Sequence, residues 1–273
     1  MSNLHMFRQG ICRWMPVWTL GVVLVGILGY AGYALFGPMP NQDVVSHIEA
    51  RGGHVQRESL IPILTPILGS PVLTRGSAWD LQLRDATDED VKMLEALSHL
   101  RHLMLSGPGV TDSGARSISR IATLRSLSLG RTSVTGEGLE YIGRLGNLEE
   151  LFLSHTSIHD DDLISFRNLT KLRYLVLNDT GISGEGLAHL KELQDLIAVE
   201  LEDNPVTDEA LKSVGQCIGL RRLDLRNTPV SDKGIRSLHG HASLKHLDLR
   251  GTRVTQEGID AIQQAIPSLQ VQR

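Results

Sequence analysis

Aromatic side chains are scarce in this chain. Phe, Tyr and Trp make up 4% of its 273 residues, although 41% are hydrophobic. An interior that large with so few rings is aliphatic, which sets it apart from the aromatic-rich core of an ordinary globular enzyme and hints at repetition. Cysteine is rarer still. Cys12 and Cys217 fall on opposite sides of an apolar segment, so no disulfide framework exists. Charge of one sign is also lacking: 27 Lys and Arg stand against 31 Asp and Glu, a net charge of −4 spread along the chain. That balance gives no footprint for nucleic acid. The short signatures of catalysis and metal binding, HExxH, CxxC, GxSxG, the P-loop and the dinucleotide fingerprint, are missing. The sequence predicts no cofactor, no metal and no enzyme.

What is present begins at the N-terminus. From Trp14 to Gln42 there is no charged residue, and VWTLGVVLVGILGYAGYALF (17–36) would span about 30 Å as a helix, the thickness of a hydrocarbon core. Trp14 and Trp18 sit at one end and Tyr30, Tyr33 and Phe36 near the other, where amphipathic rings favour headgroups. Arg8 and Arg13 precede the run with no acid beside them, whereas Asp43 and Glu49 follow it. The positive-inside rule then predicts a cytoplasmic stub (1–16), a single transmembrane helix (17–36) and an extracytoplasmic remainder in the cell membrane. A signal peptide cleaved near Gly32-Tyr33-Ala34 is the alternative, but the run exceeds the roughly 7–15 residues of an h-region. Cys12 precedes the run and cannot become a lipid-bearing N-terminus.

Leucine pairs spaced as L-x-L recur from Leu81/Leu83 to Leu247/Leu249, with a first step of 22 residues and six further steps of 24. Independent loops drift in length, whereas stacked coils cannot. Period-two leucines predict a short strand, and the L-x-x-L spacing that follows predicts two or three turns of helix. Thr132, Thr156, Thr180, Asn204, Thr228 and Thr252 form one column after the strand, expected to be a buried ladder bonding turn amides of the neighbouring coil. Val110, Val134, Ile158, Ile182, Val206, Val230 and Val254 form the next, sealing the core. Thr111, Asp112, Thr135, Thr207, Asp208, Ser231, Asp232 and Thr255 offer N-caps. Val271 stands 24 residues after Leu247 and marks a truncated last strand, and residues 41–78 are left to act as N-terminal cap and linker.

The unit L-x-x-L-x-L-x-x-T-x-V-T-D/G-x-G-L-x-x-L-x-x-L resembles the leucine-rich repeat over residues 79–273. Together with the apolar anchor, the IEARGG helix and the apolar ILG cap, the order resembles a group of bacterial membrane-anchored leucine-rich-repeat proteins. The resemblance implies an α/β solenoid of about eight repeats, with parallel strands on a concave face and short helices on a convex one.

On such an arc the outward residues of the strands vary most. Met104, Phe152, Tyr174 and Val176 put large apolar groups there, as partner sites often do. Glu200, Asp224 and Asp248 share one column about 4.8 Å apart, with Arg222, Arg226 and Arg250 placed to compensate. The expected function is recognition of an unidentified protein ligand, with the apolar residues as anchors and the charges as a rim. The alternatives are a metal-dependent hydrolase using the three carboxylates, for which Ca²⁺ would want about six to eight oxygens, and an envelope component that self-associates. Cys217 and His241 occupy one helix column a repeat apart and face the core, where a buried thiol beside a tolerated imidazole is the simpler reading.

Overall fold

Among the described residues ten strands follow one another: β1 (His54–Arg57), β2 (Trp79–Leu83), β3 (Leu100–Leu105), β4 (Ser126–Ser128), β5 (Glu150–Phe152), β6 (Tyr174–Val176), β7 (Ala198–Glu200), β8 (Arg222–Asp224), β9 (His246–Asp248) and β10 (Gln270–Gln272). They lie in a single sheet in chain order. The computed structural model describes residues 42–57, 79–97 and 99–273. The stub 1–16, the predicted membrane segment 17–36 and the linker residues 58–78 lie outside the described residues. Among those described, no helix is long and apolar enough to cross a membrane.

From β2 onward every pairing is parallel, and Leu103, Leu127, Leu151, Leu175, Val199, Leu223, Leu247 and Val271 stand in register. An identical register on each strand follows from the repeat: a slip of one residue would turn each leucine outward. The leucines of both positions are at most 2% exposed, and the Val/Ile column beneath the turn at most 5%. Each coil returns through a short helix. Six are α-helical, among them Asp112–Ile118 and Gln256–Ala265, but the two central repeats carry 3₁₀ helices, Asp160–Asn168 and Glu185–Glu192. In these two, His159 and Gly184 stand at the N-cap. Here i→i+3 bonds tighten the turn.

The threonine column is built differently from the expected ladder. Each hydroxyl donates to a carbonyl three residues back in its own repeat: Thr132 to Leu129, Thr156 to Leu153, Thr180 to Leu177, Thr228 to Leu225 and Thr252 to Leu249, at 2.5–2.8 Å. Of these hydroxyls only that of Thr180 also reaches the adjacent coil, where it meets Asn204. Asn204 is the column member that gathers the neighbouring turn. Its Oδ1 accepts from the Thr180 amide and hydroxyl and from the Gly181 and Ile182 amides, while Nδ2 donates to the Leu177 carbonyl.

The links between coils come from aspartates, three of them, Asp112, Asp208 and Asp232, expected to be N-caps of their own helices. Asp88, Asp112, Asp160, Asp208 and Asp232 each accept the amide and hydroxyl of a Ser or Thr in the next coil at 2.6–3.0 Å, the N-cap of the following helix in every case but Asp160, whose partner Ser183 stands just before the N-cap Gly184. Gly114, Gly138, Gly186, Gly234 and Gly258, each 26 residues on, leave room for this arrangement. A Cβ at Gly114 would lie 2.4 Å from Asp88 Oδ1, and one at Gly258 2.2 Å from Asp232 Oδ1. Where the aspartate is missing, at Gly136 and Gly184, the later position carries a side chain, Asp162 or Ala210. One slot between coils is filled once, from one side or the other.

The first coil is covered by the helix Gln42–Ala50, whose Val45 and Ile48 are buried, and by β1, antiparallel to β2. Asp90, 1% exposed, ties this cap down. Its carboxylate accepts from the Thr87 amide and hydroxyl at 2.8 Å each, lies 2.9 Å from His47 Nε2 and takes a longer bond from Arg51 Nη1. Burial by itself would raise its pKa, but the bonds from His47 and Thr87 and the charge of Arg51 outweigh it and hold the carboxyl below its ordinary value.

Candidate recognition face

Side chains between the core leucines point away from the core and are packed only by their neighbours on adjacent strands. Phe152 and Val176 lie side by side in register on β5 and β6, each half-buried, and Tyr174 shares β6 with Val176. Tyr174 is 38% exposed, with buried Ala198 next to it on β7. Arg173 lies over its ring, 5.8 Å from the centroid. Met104 is exposed too, but Ser128 on β4 separates it from Phe152. Two strand spacings, about 9.6 Å, keep Met104 apart from the other three.

The charged zone is a closed network. Glu200, Asp224 and Asp248 do stand in one column on β7, β8 and β9. Arg226 Nε bonds both Asp224 oxygens at 3.0 and 2.9 Å, and its Nη2 reaches Glu202 Oε2 at 2.6 Å. Arg250 bonds Asp248, its Nη2 at 2.6 Å from Oδ2, and Arg222 Nη2 lies 3.6 Å from Glu200. Burial lowers the Arg226 pKa, but Asp224, Glu202 and Asp248 more than restore it, so its charge is held. For Asp248, burial is outweighed by Arg250 and Arg226, and its carboxyl sits below the usual range.

Two corrections follow. Asp224, read from sequence as a contact residue, is only 1% exposed, so it cannot meet a partner. It lies beneath Arg226 and fixes that guanidinium in place, while Glu202 joins the network from outside the predicted set. The three carboxylates proposed as a Ca²⁺ or hydrolase site are each engaged by an arginine, an arrangement opposed to a divalent cation. Among the described residues no group of three His, Cys, Asp or Glu is placed to hold a metal.

Cys217 and His241 do meet, but through the backbone: His241 Nε2 lies 2.9 Å from the Cys217 carbonyl oxygen. Burial pushes the thiol up to about 11, which leaves it protonated and inert near neutral pH. A shallow groove of about 610 Å³ lies where the N-terminal cap meets the first repeat, and its His47, Arg51 and Asp90 bond one another.

The structure exposes a further column ahead of the strands. Arg101, Arg125, Arg173, Arg221 and Lys245, each two residues ahead of its L-x-L pair, are all exposed. Their 24- and 48-residue spacing is legible in the sequence, but alternation with the leucines directs attention to the residues within the strands. The structure also reveals a left-handed column at the other end of the strands: Arg131, His155, Asp179, Asp203 and Asn227 have φ of 51–60°. Four residue types, Arg, His, Asp and Asn, share this one backbone conformation, so no single residue marks the column in the sequence. His155 Nδ1 lies 2.8 Å from Asp179 Oδ2, and Asn227 donates to Asp203, so the column is stitched from side to side.

The repeating strand, the buried leucine columns and the returning helices define a leucine-rich-repeat solenoid. A Leucine rich repeat family model matches residues 122–182, and a second Leucine Rich repeat model matches 96–119, 216–238 and 240–262. The chain therefore carries leucine-rich repeats. Among solved structures it is similar to an internalin (inlF) from Listeria monocytogenes str. 4b F2365, with 18% identity and a TM-score of 0.50, over 70% of this chain and 57% of that one. It is also similar to an internalin C2 (inlC2) from the same strain, with 18% identity and a TM-score of 0.51, over 79% of this chain and 82% of the other. The chain spans little more than half of the first of these, and likeness at such identity shows the fold alone. No curated protein sequence matches the chain.

Proposed function

We propose that this protein is a membrane-anchored recognition arc that binds a protein partner through the concave face of its leucine-rich repeats. The observation that carries the reading is the exposed apolar group on the strand platform, Tyr174 standing above Phe152 and Val176. A ring held on a hydrogen-bonded sheet loses little freedom when a partner covers it, which is what an anchor residue needs. Arg222, Arg226 and Arg250 with Glu200 and Asp248 give register at the rim, and Met104 is a separate, outlying contact. The uncharged run 17–36, with Arg8 and Arg13 before it, supports anchorage with the repeats outside the cytoplasm.

Capture of partners from the native envelope tests this, using the full chain beside Phe152→Ala/Tyr174→Ala. Both residues are at least partly exposed, so the melting temperature should change little. A partner held by the native chain should be lost from the double variant by about tenfold or more. Equal retention by both would move the site elsewhere, and capture of nothing but the chain itself would favour a self-associating structural component.

A further inference from the structure

We infer that the segment recognised by the concave platform is acidic, with Asp or Glu side chains flanking an apolar one, and that its carboxylates lie along the row Arg101, Arg125, Arg173, Arg221 and Lys245. This rests on the concave-face reading and gives the partner its chemistry. The row is continuous in the backbone. Arg125, Glu149, Arg173, Ile197, Arg221 and Lys245 each donate an amide to the row member before them at 2.7–2.8 Å, starting from the Arg101 carbonyl. Successive members are therefore one strand apart, and the row runs about 29 Å, the reach of about nine extended residues.

Two positions break the series. Glu149 is bonded to Arg125 Nη1 at 2.9 Å, and Ile197 is neutral. The remaining cations have no carboxylate partner among the described residues: Lys245 donates to the Ser268 hydroxyl, and Arg173 lies over Tyr174. The neighbouring charged column is built the other way. There each acid is met by an arginine; here Arg221 and Lys245 stand just ahead of adjacent strands, with no carboxylate bonded to either. The nearby acids bond none of these cations: Glu150 accepts from the Ser126 hydroxyl at 2.8 Å, and Asp195 is exposed two residues ahead of Ile197. An otherwise acidic chain thus concentrates bare positive charge along one edge of one face, and Arg173 joins that edge to the apolar patch.

Charge and apolar surface combined in this way fit a short peptide with both characters. A flat anionic bilayer meets a concave sheet only at its rim, and a long nucleic acid is opposed by the chain's net negative charge. Steering by such a row is screened by salt.

The test is selection of random peptides of about 12 residues on the full chain, counter-selected on Arg173→Glu/Arg221→Glu. The expected pool is rich in Asp and Glu around an aromatic or aliphatic residue. A synthetic member should bind the native chain about tenfold more tightly than the charge-reversed variant, with Arg173→Gln/Arg221→Gln between them, and should weaken about tenfold from roughly 50 to 300 mM salt. It should also weaken on Phe152→Ala/Tyr174→Ala. A neutral or basic pool, or no pool, overturns the inference. Peptides that ignore charge reversal but are lost on Phe152→Ala/Tyr174→Ala overturn it while leaving the concave-face reading intact; peptides indifferent to both overturn the two together. Row-dependent binding of phosphatidylserine vesicles or of an oligothymidylate in place of peptides would assign the row to lipid or nucleic acid, and the inference would fall.

Discussion

Asn204 does what the threonines in its column do not. Its amide is 2% exposed and gathers the turn of the preceding coil, taking four donors of residues 180–182 on one oxygen. Removing it would take the acceptor from the Thr180, Gly181 and Ile182 amides, while the Thr180 hydroxyl and the Leu177 carbonyl keep each other, and a buried group left unpaired costs more than a hydrogen bond is worth. The Thr228 hydroxyl in the same column makes one bond, within its own repeat. Asn204→Ala should therefore cost about 3 kcal/mol and Thr228→Val about 1 kcal/mol in chemical denaturation. Equal losses would mean that the amide is no more than another column member. The same distinction applies at Asp224, whose buried carboxylate positions Arg226 without itself being available to a partner.

At the scale of the repeat, one slot between successive coils accepts either a carboxylate from the coil before or a side chain from the coil after. Gly136 and Asp162 are the clearest case: a Cβ at 136 would lie 1.8 Å from Asp162 Oδ1, while Asp162 Oδ2 takes the His159 amide at 2.8 Å. Gly136→Asp alone forces two carboxylates together and should cost about 2–3 kcal/mol. Asp162→Gly alone gives up the His159 bond and should cost about 1 kcal/mol. Made together they recreate the Asp–Gly arrangement of the other junctions, so the double variant should be close to native, a coupling of about 2 kcal/mol or more in a double-mutant cycle. Additive losses would show that the slot is not shared. This reciprocity also marks where the sequence was legible and where it was not. Leucine and valine columns are read from spacing because every coil asks the same of them. Asp112, Asp208 and Asp232 looked like local N-caps because each sits beside a Ser or Thr; their true partners are 23 residues away, and only stacking shows which oxygen meets which amide. Of the site, Phe152, Tyr174 and Val176 could be found by alternation, whereas the burial of Asp224 depended on where the Arg226 guanidinium lies.

For the whole molecule, stability passes from coil to coil, because each repeat packs only on its neighbours and on the end caps. Two of the carboxylates that join it titrate in a stated direction. Asp90 ties the cap to the first repeat. Asp160 holds the Ser183, Gly184 and Gly186 amides of the next coil; burial would raise its pKa, but these bonds and the Ser183 hydroxyl outweigh it and hold it below the ordinary value. A carboxyl with a folded pKa below its unfolded one binds fewer protons when folded, so its contribution is complete above the unfolded value and is lost as pH falls through the folded one. Asp160→Asn should lower the melting temperature by about 4–8 °C near neutral pH, as expected for about 2 kcal/mol in a domain of this size. The gap between variant and native chain should hold through the neutral range and begin to narrow only as pH falls below the ordinary carboxylate range, closing as the native carboxyl takes up its proton at its lowered folded value. Asp90→Asn should behave alike, with the loss confined to the cap end. A gap that stays constant through the acid range would show that these aspartates contribute shape alone, and that the charge between coils adds nothing to the strength of the stack.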